Sequence, residues 1–213
     1  MSDYVDWGKI PSQAESQSSG GKRSKFLWLK SGNKYRIRPV HLPIQFTKYY
    51  RRDENKKLRT AICQNPETCT VRSSHPEDEI RASTRYAIFA FDRADGALKV
   101  MEGPVTVFRP FRSRYEATQK NPGGMEGGDW QIEVSGQGLT TKYQITYLDD
   151  KPFTAEEKQI IKDELEKNKL QQIYAPHSPE EIENRLYGEL NKPENDSGST
   201  SENSIKDDVG DLW

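Results

Sequence analysis

Lys34-Tyr35-Arg36-Ile37-Arg38-Pro39-Val40 alternates cations with Tyr35 and Ile37, the period-two repeat of an extended strand whose successive side chains point to opposite faces. Lys34, Arg36 and Arg38 then stand in a row on one side. The stretch follows the turn residues Ser31-Gly32-Asn33 and an extended Phe26–Lys30, which predicts a hairpin. Further along, Gln45–Arg52 interleaves Phe46, Tyr49 and Tyr50 with Lys48, Arg51 and Arg52; after a polar turn, Lys56–Ile62 adds Lys56, Lys57 and Arg59. Arg85–Phe91 and Ala97–Glu102 flank a turn at Asp92–Gly96, with Tyr86 and Ile88 on one face and Phe89 and Phe91 on the other. Asp129–Val134 and Leu139–Leu148 make a further hairpin, so at least six strands are expected. Val105–Lys120 mixes β-branched residues, Pro110 and a helical second half, and is expected to be a short or kinked helix.

Two helices should close the fold, each announced by a hydroxyl followed three residues later by Glu, the pair that satisfies two orphan backbone donors. Thr154 with Glu157 starts the first; Ser178 with Glu181 and Pro179 starts the second, where Ile182, Leu186 and Leu190 share a face. They are expected to pack on the β core.

The ends differ in composition. Residues 1–24 read as a flexible leader and 192–213 as a disordered acidic tail tipped by Leu212 and Trp213, since neither can bury enough apolar surface to offset its ordering entropy. Between them, 25–191 should form one domain, mostly β with C-terminal helices (α+β). The whole chain is 213 residues, with 32% hydrophobic and 31% charged residues and a mean hydropathy of −0.97, values that suit a modest core with polar ends. It has no apolar run of membrane-spanning length and no signal-peptide pattern, so a cytoplasmic, non-membrane protein is expected.

The net charge of −1 hides a segregation along the chain. Residues 22–60 carry thirteen Lys or Arg against Asp53 and Glu54, whereas 193–213 carry six acids against Lys206. A solvated face normally mixes signs, so so many cations among aromatics point to a polyanion: the charges neutralise phosphates and the rings stack on unpaired bases. The expected contact residues are Lys30, Lys34, Arg36, Arg38, Lys48, Tyr49, Tyr50, Arg51, Arg52, Lys57 and Arg59, and the basic-aromatic stretch around Phe108, Arg109, Phe111 and Arg114 adds Arg112 and Tyr115. The bland alternative makes Tyr35, Ile37 and Phe46 core residues under a solvated basic face. In the tail, Asp207, Asp208, Asp211, Leu212 and Trp213 suit an anchor for partner proteins, and the acids also suit competition with phosphate for the basic groove.

Cys63, Cys69 and His75 are spaced C-x5-C-x5-H and could hold zinc if His41 completed the set, but structural zinc favours closer cysteine pairs; two free thiols and no cofactor are the expectation. Gly136-Gln137-Gly138 lacks the lysine and spacing of a phosphate loop. With three histidines and no catalytic motif, no enzyme is expected. Two rivals stay open: a protein adaptor with a basic face, and a metal-dependent nuclease whose carboxylates converge only in space.

Residues 30–40, the β segment ending at Cys63 and Cys69, and Asp129-Trp130 through Gly136-x-Gly138-x-x-Thr141-x-Tyr143 together resemble phage single-stranded DNA-binding proteins of the T-even helix-destabilising type. The resemblance spans 25–190 in order of elements. It implies an OB-fold-like barrel, a basic cleft lined by Tyr and Phe, and an acidic tail that recruits replication and recombination proteins in an infected cell, with roles in DNA replication, recombination and repair. Lys34, Arg36 and Arg38 match its basic strand, Tyr49 and Tyr50 its cleft aromatics, Asp207, Asp208 and Asp211 its tail acids, and Trp213 a closing aromatic. The chain departs from the pattern where many relatives have a C-P-x-C knuckle, since Cys69 is followed by Thr70-Val71-Arg72, and it lacks the basic N-terminal arm linked to cooperative binding.

Overall fold

A computed structural model describes residues 24–188 except 64–66, 68, 77–79, 126 and 150. The leader and the tail, with Asp207, Asp208, Asp211, Leu212 and Trp213, lie outside the described residues. In chain order the elements are β1 (Phe26–Leu27), β2 (Lys34–Pro39), β3 (Ile44–Arg52), β4 (Leu58–Cys63), α1 (Thr70–Ser74), β5 (Arg81–Asp92), β6 (Ala97–Gly103), α2 (Val105–Thr118), β7 (Asp129–Ser135), β8 (Lys142–Asp149), α3 (Ala155–Lys167), α4 (Leu170–Ile173) and α5 (Pro179–Tyr187). The protein is mostly β with several helices, an α+β arrangement around one open, mixed sheet.

The twelve-residue β5 is the axis of the sheet. One edge pairs with β6 (Phe89 opposite Val100). The other carries β2 and then β3, both antiparallel, with Arg38 opposite Phe91 and Phe46 opposite Arg85. β2 and β3 therefore run along β5 as one interrupted strand. On their far side β2 pairs with β7 and β3 with β4, and β7 continues into β8.

Two of the three expected hairpins form, β5–β6 and β7–β8, and the extended stretches either side of the polar turn pair as β3–β4. The hairpin expected over 26–40 does not. Gly32 reverses the chain at φ 81°, but its N–H donates to the Val134 carbonyl, and the Val134 N–H donates to Asn33. The turn is thus tied to β7, and β1 crosses to pair in parallel with β6, where Leu27 sits opposite Met101 in the core. Burial of Leu27 outweighs local hairpin pairing.

Alternation along β5 separates two cores as its sequence predicts. Ile88 and Ala90 join Ile37, Met101, Trp130 and Ile132 beneath α2, whereas Phe89 and Phe91 join Phe46, Val100 and Phe153 beneath α3 and α4. A third cluster, with Tyr49, Ala61 and Cys63, lies against Ile182 and Leu186 of α5. Both capping boxes form with both reciprocal hydrogen bonds, at Thr154/Glu157 and Ser178/Glu181. α2 runs through Pro110 and buries Val107, Phe108 and Phe111; those contacts hold the helix although the proline removes one ladder donor. The loop after it rests on the end of β2, where Gly124 N–H donates to the Pro39 carbonyl at 2.6 Å. At Gly123 even a Cβ would lie 2.2 Å from that oxygen. No helix among the described residues is long and apolar enough to cross a membrane.

Candidate nucleic-acid interface

The basic strand does not face solvent as a free row. Asp129, at the start of β7, is fully buried and collects three guanidinium groups: Arg93 at 2.9 Å, Arg36 at 2.9 Å and Arg38 at 3.0 Å. Burial alone would raise the Asp129 carboxyl, but the hydrogen bonds and charge of Arg93, with Arg36 and Arg38, outweigh it and hold the group below its ordinary value. Arg38 is itself 0% exposed; it donates to the Lys151 carbonyl and lies 4.5 Å from the Phe153 ring centre. Arg36 also pairs with Asp149 at 2.8 Å, and Lys34 with Glu133 at 3.0 Å. For Arg38 the reading as a surface contact is therefore replaced by a structural one, and Arg36 and Lys34 face outward with acids beside them. The long-range pairing of β2 with β7 and of β7 with β8 supplies these acids, and residues 22–60 could not reveal them.

The remaining expected contacts divide between several places. Lys30 is exposed at the first turn. Tyr49 is fully buried in the third cluster beside Cys63 and Cys69, with its phenol pushed upward chiefly by burial, so it offers no ring to a base. Arg51 lies 4.2 Å from the Tyr187 ring centre and donates to the Leu186 carbonyl. Arg59 pairs with Asp53 at 3.0 Å, while Arg52 and Lys57 are exposed on the β3–β4 hairpin. The described cations of residues 24–60 thus do not form one continuous groove: those of β2 converge on Asp129 or its neighbours, and those of the hairpin spread along it.

A different constellation assembles where β3, β5 and β6 pair. Glu102 accepts Lys48 at 3.1 Å and Arg85 at 3.3 Å, and Tyr174 donates to it at 3.4 Å. Tyr50, its ring centre 5.9 Å from the Lys48 Nζ, is half-buried beside them, and Tyr143 of β8 is half-buried against the first core. Burial, opposed by Arg85 and assisted by Glu102, pushes the Tyr50 phenol up to about 12; burial likewise raises Tyr143 against the pull of Arg85. Both phenols therefore sit within the field of one guanidinium. Next along β5, Tyr86 is half-buried against Phe108, 5.5 Å between ring centres, and lies in the field of Arg112. Tyr86, Tyr143, Tyr35 and Tyr147 all rim the first core, and Arg114 covers the Tyr147 ring at 3.2 Å.

Helix α2 thus meets the expectation of a second basic-aromatic patch in part. Phe108 and Phe111 are core residues, whereas Arg109, Arg112 and Tyr115 are exposed, Arg112 pairing with Glu116 at 2.7 Å. Of the constellation, the sequence singles out Lys48, Tyr50 and Arg112 as contacts; Arg85 and Tyr143 are missed and Tyr86 is read as core. The available signal is the adjacent basic-aromatic pairs Arg85-Tyr86 and Lys142-Tyr143, set apart from the dense 22–60 stretch.

Of the C-x5-C-x5-H spacing, Cys63 and Cys69 come together beside Tyr49, whereas His75 and His41 are engaged elsewhere. Cys63 is buried and Cys69 half-buried, His75 is engaged by Glu183 and stacked on Tyr187, and His41 stands beside Phe89. Among the described residues no group of three or more His, Cys, Asp or Glu could hold a metal ion. No family model matches the chain, and neither a curated protein nor a solved structure is significantly similar to it.

Proposed function

We propose that the chain binds single-stranded DNA with little sequence preference through the surface around Arg85, Tyr50, Tyr86, Tyr143 and Arg112, and that it is an OB-like coating protein without catalytic activity. The connectivity supports this reading. Taking β2 and β3 as one interrupted first strand, β5 and β6 follow as second and third, and β7 and β8 as fourth and fifth. OB domains take oligonucleotides on the face of strands two and three, between the loops joining strands one to two and four to five. Arg85 lies on that second strand, with Tyr86 beside it on the opposite face, Tyr50 near the end of the first strand, and Tyr143 just beyond the turn between fourth and fifth.

The observation that carries the proposal is that the half-buried phenols of Tyr50 and Tyr143 both lie in the field of Arg85, near where an OB ligand would lie. Aromatic rings accept bases of any kind, and each stacked base contributes about 1–3 kcal/mol. The acidic tail, Asp207 to Trp213, is proposed to recruit replication and recombination proteins.

The test is quenching of protein fluorescence by oligo-dT over a salt series. Substituting Arg85→Gln with Arg112→Gln should weaken binding and flatten the salt slope by about 1.4, since each lost phosphate contact contributes about 0.7 on single strands. An unaltered slope in a variant that melts like the parent would refute the assignment. An oligonucleotide cleaved under Mg²⁺ or Mn²⁺ would favour a nuclease instead, and absence of any binding at low salt would favour a protein adaptor.

A further inference from the structure

Helix α3 lines an open groove of about 570 Å³ in which apolar and basic side chains meet: Met125, Ile161 and Leu165 line it together with Lys158, Lys162 and Lys169. Its volume falls within the roughly 300–1,000 Å³ range of ligand sites. Met125 is 53% exposed, an apolar side chain left facing water. Glu166 is the acid among the lining residues and His41 the remaining titratable group, so the lining keeps an excess of positive charge at neutral pH. None of these residues belongs to the proposed DNA surface.

The groove calls for an occupant that is both apolar and acidic, and the chain carries one. Asp207-Asp208-Val209-Gly210-Asp211-Leu212-Trp213 places three carboxylates around a Leu-Trp pair. An indole alone buries roughly 150–250 Å² and is a common anchor at interfaces. Reach is no obstacle: eighteen residues lie between Gly188 and Asp207, roughly 60 Å when extended, against a radius of gyration of about 15 Å for a domain of this size. Tethering also supplies an effective concentration in the millimolar range, so a weak site would still fill.

We infer that the tail tip of the same molecule docks in this α3 groove, with Trp213 and Leu212 against Met125, Ile161 and Leu165 and the aspartates beside Lys158, Lys162 and Lys169. The tail then rests away from the DNA surface, and a partner protein has to lift it from α3 rather than from the cleft. Competition between tail and DNA for one basic groove is accordingly not part of this assignment. The inference does not depend on DNA binding, and its test contains no nucleic acid.

The full chain labelled with 5-fluorotryptophan gives a ¹⁹F resonance for each of its four tryptophans, and Trp213→Phe identifies the one in the tail. At low salt the Trp213 resonance should stand away from that of a free Ser204–Trp213 peptide. It should move to the free position in Lys158→Glu with Lys162→Glu, while the resonance of Trp130, buried in the first core, stays in place and so reports an intact fold. Adding 0.5 M NaCl should shift it the same way, because exposed charge pairs are screened. A free-peptide resonance in the parent chain overturns the inference. So does a resonance released by Arg85→Gln with Arg112→Gln but not by the lysine reversals, which would seat the tail on the DNA surface. A displacement that grows with protein concentration also overturns it, by assigning the groove to the tail of a second copy.

Discussion

Asp129→Asn should be among the most damaging single-atom changes available to this fold. The carboxylate is completely buried between Arg93, Arg36 and Arg38, and Arg38 is equally inaccessible. An amide keeps the volume but removes the charge, leaving three guanidinium groups facing one another with one wholly desolvated. Removing one member of a buried ion pair costs about 3–5 kcal/mol, against a total stability of about 5–15 kcal/mol for a typical domain. At about 2–4 °C per kcal/mol, the melting temperature should fall by roughly 6–20 °C. Urea unfolding at pH 7 measures the loss directly. The pH dependence supplies a second readout: because the folded carboxyl is held below its unfolded value, near 3.9, its contribution is present above that value and lost as the pH falls through the folded one. The parent should therefore lose stability on acidification below about pH 4, and the variant should lack that component. A loss below about 1 kcal/mol with an unchanged acid limb would refute the account of the cluster. Arg38→Ala should likewise report on folding before it reports on DNA.

Gly123→Ala should destabilise the contact between the 121–128 loop and β2, since the added methyl would stand 2.2 Å from the Pro39 carbonyl oxygen and 2.7 Å from the Pro39 Cβ; overpacking of this kind costs typically about 1–3 kcal/mol, and a melt unchanged from the parent would sink the reasoning. His177 should titrate below its ordinary value in imidazole NMR, because burial and then Arg185 disfavour its cation while its Nδ1 accepts the Ile62 N–H at 3.0 Å. Its contribution to stability should be complete above about pH 6.5 and decline as the pH falls from there toward the folded midpoint; a midpoint at or above the ordinary value would contradict the assigned tautomer.

Strand alternation, turn residues and capping boxes are local signals, and they survive folding. Ile88 and Phe89 point to separate cores because consecutive strand residues must, and Thr154 and Ser178 start helices because each satisfies a donor three residues away. Elements that compete for long-range partners are less legible. The 26–40 segment has the pattern of a hairpin, yet β7 captures its turn and β6 captures β1.

The candidate site divides along the same line. From the sequence alone follow a mostly β domain, its closing helices, a concentration of cations and aromatics between 22 and 60, and an acidic end with an indole at its tip. Only the tertiary structure decides which cations remain available, because a charge's availability depends on its neighbours in space. Asp129 is ninety-one residues from Arg38 in sequence, yet it turns that arginine into an internal support. Arg85, inconspicuous in the chain, instead pairs with Glu102 in the neighbourhood of the half-buried Tyr50 and Tyr143 phenols, while Tyr86 beside it turns to the other face against Phe108.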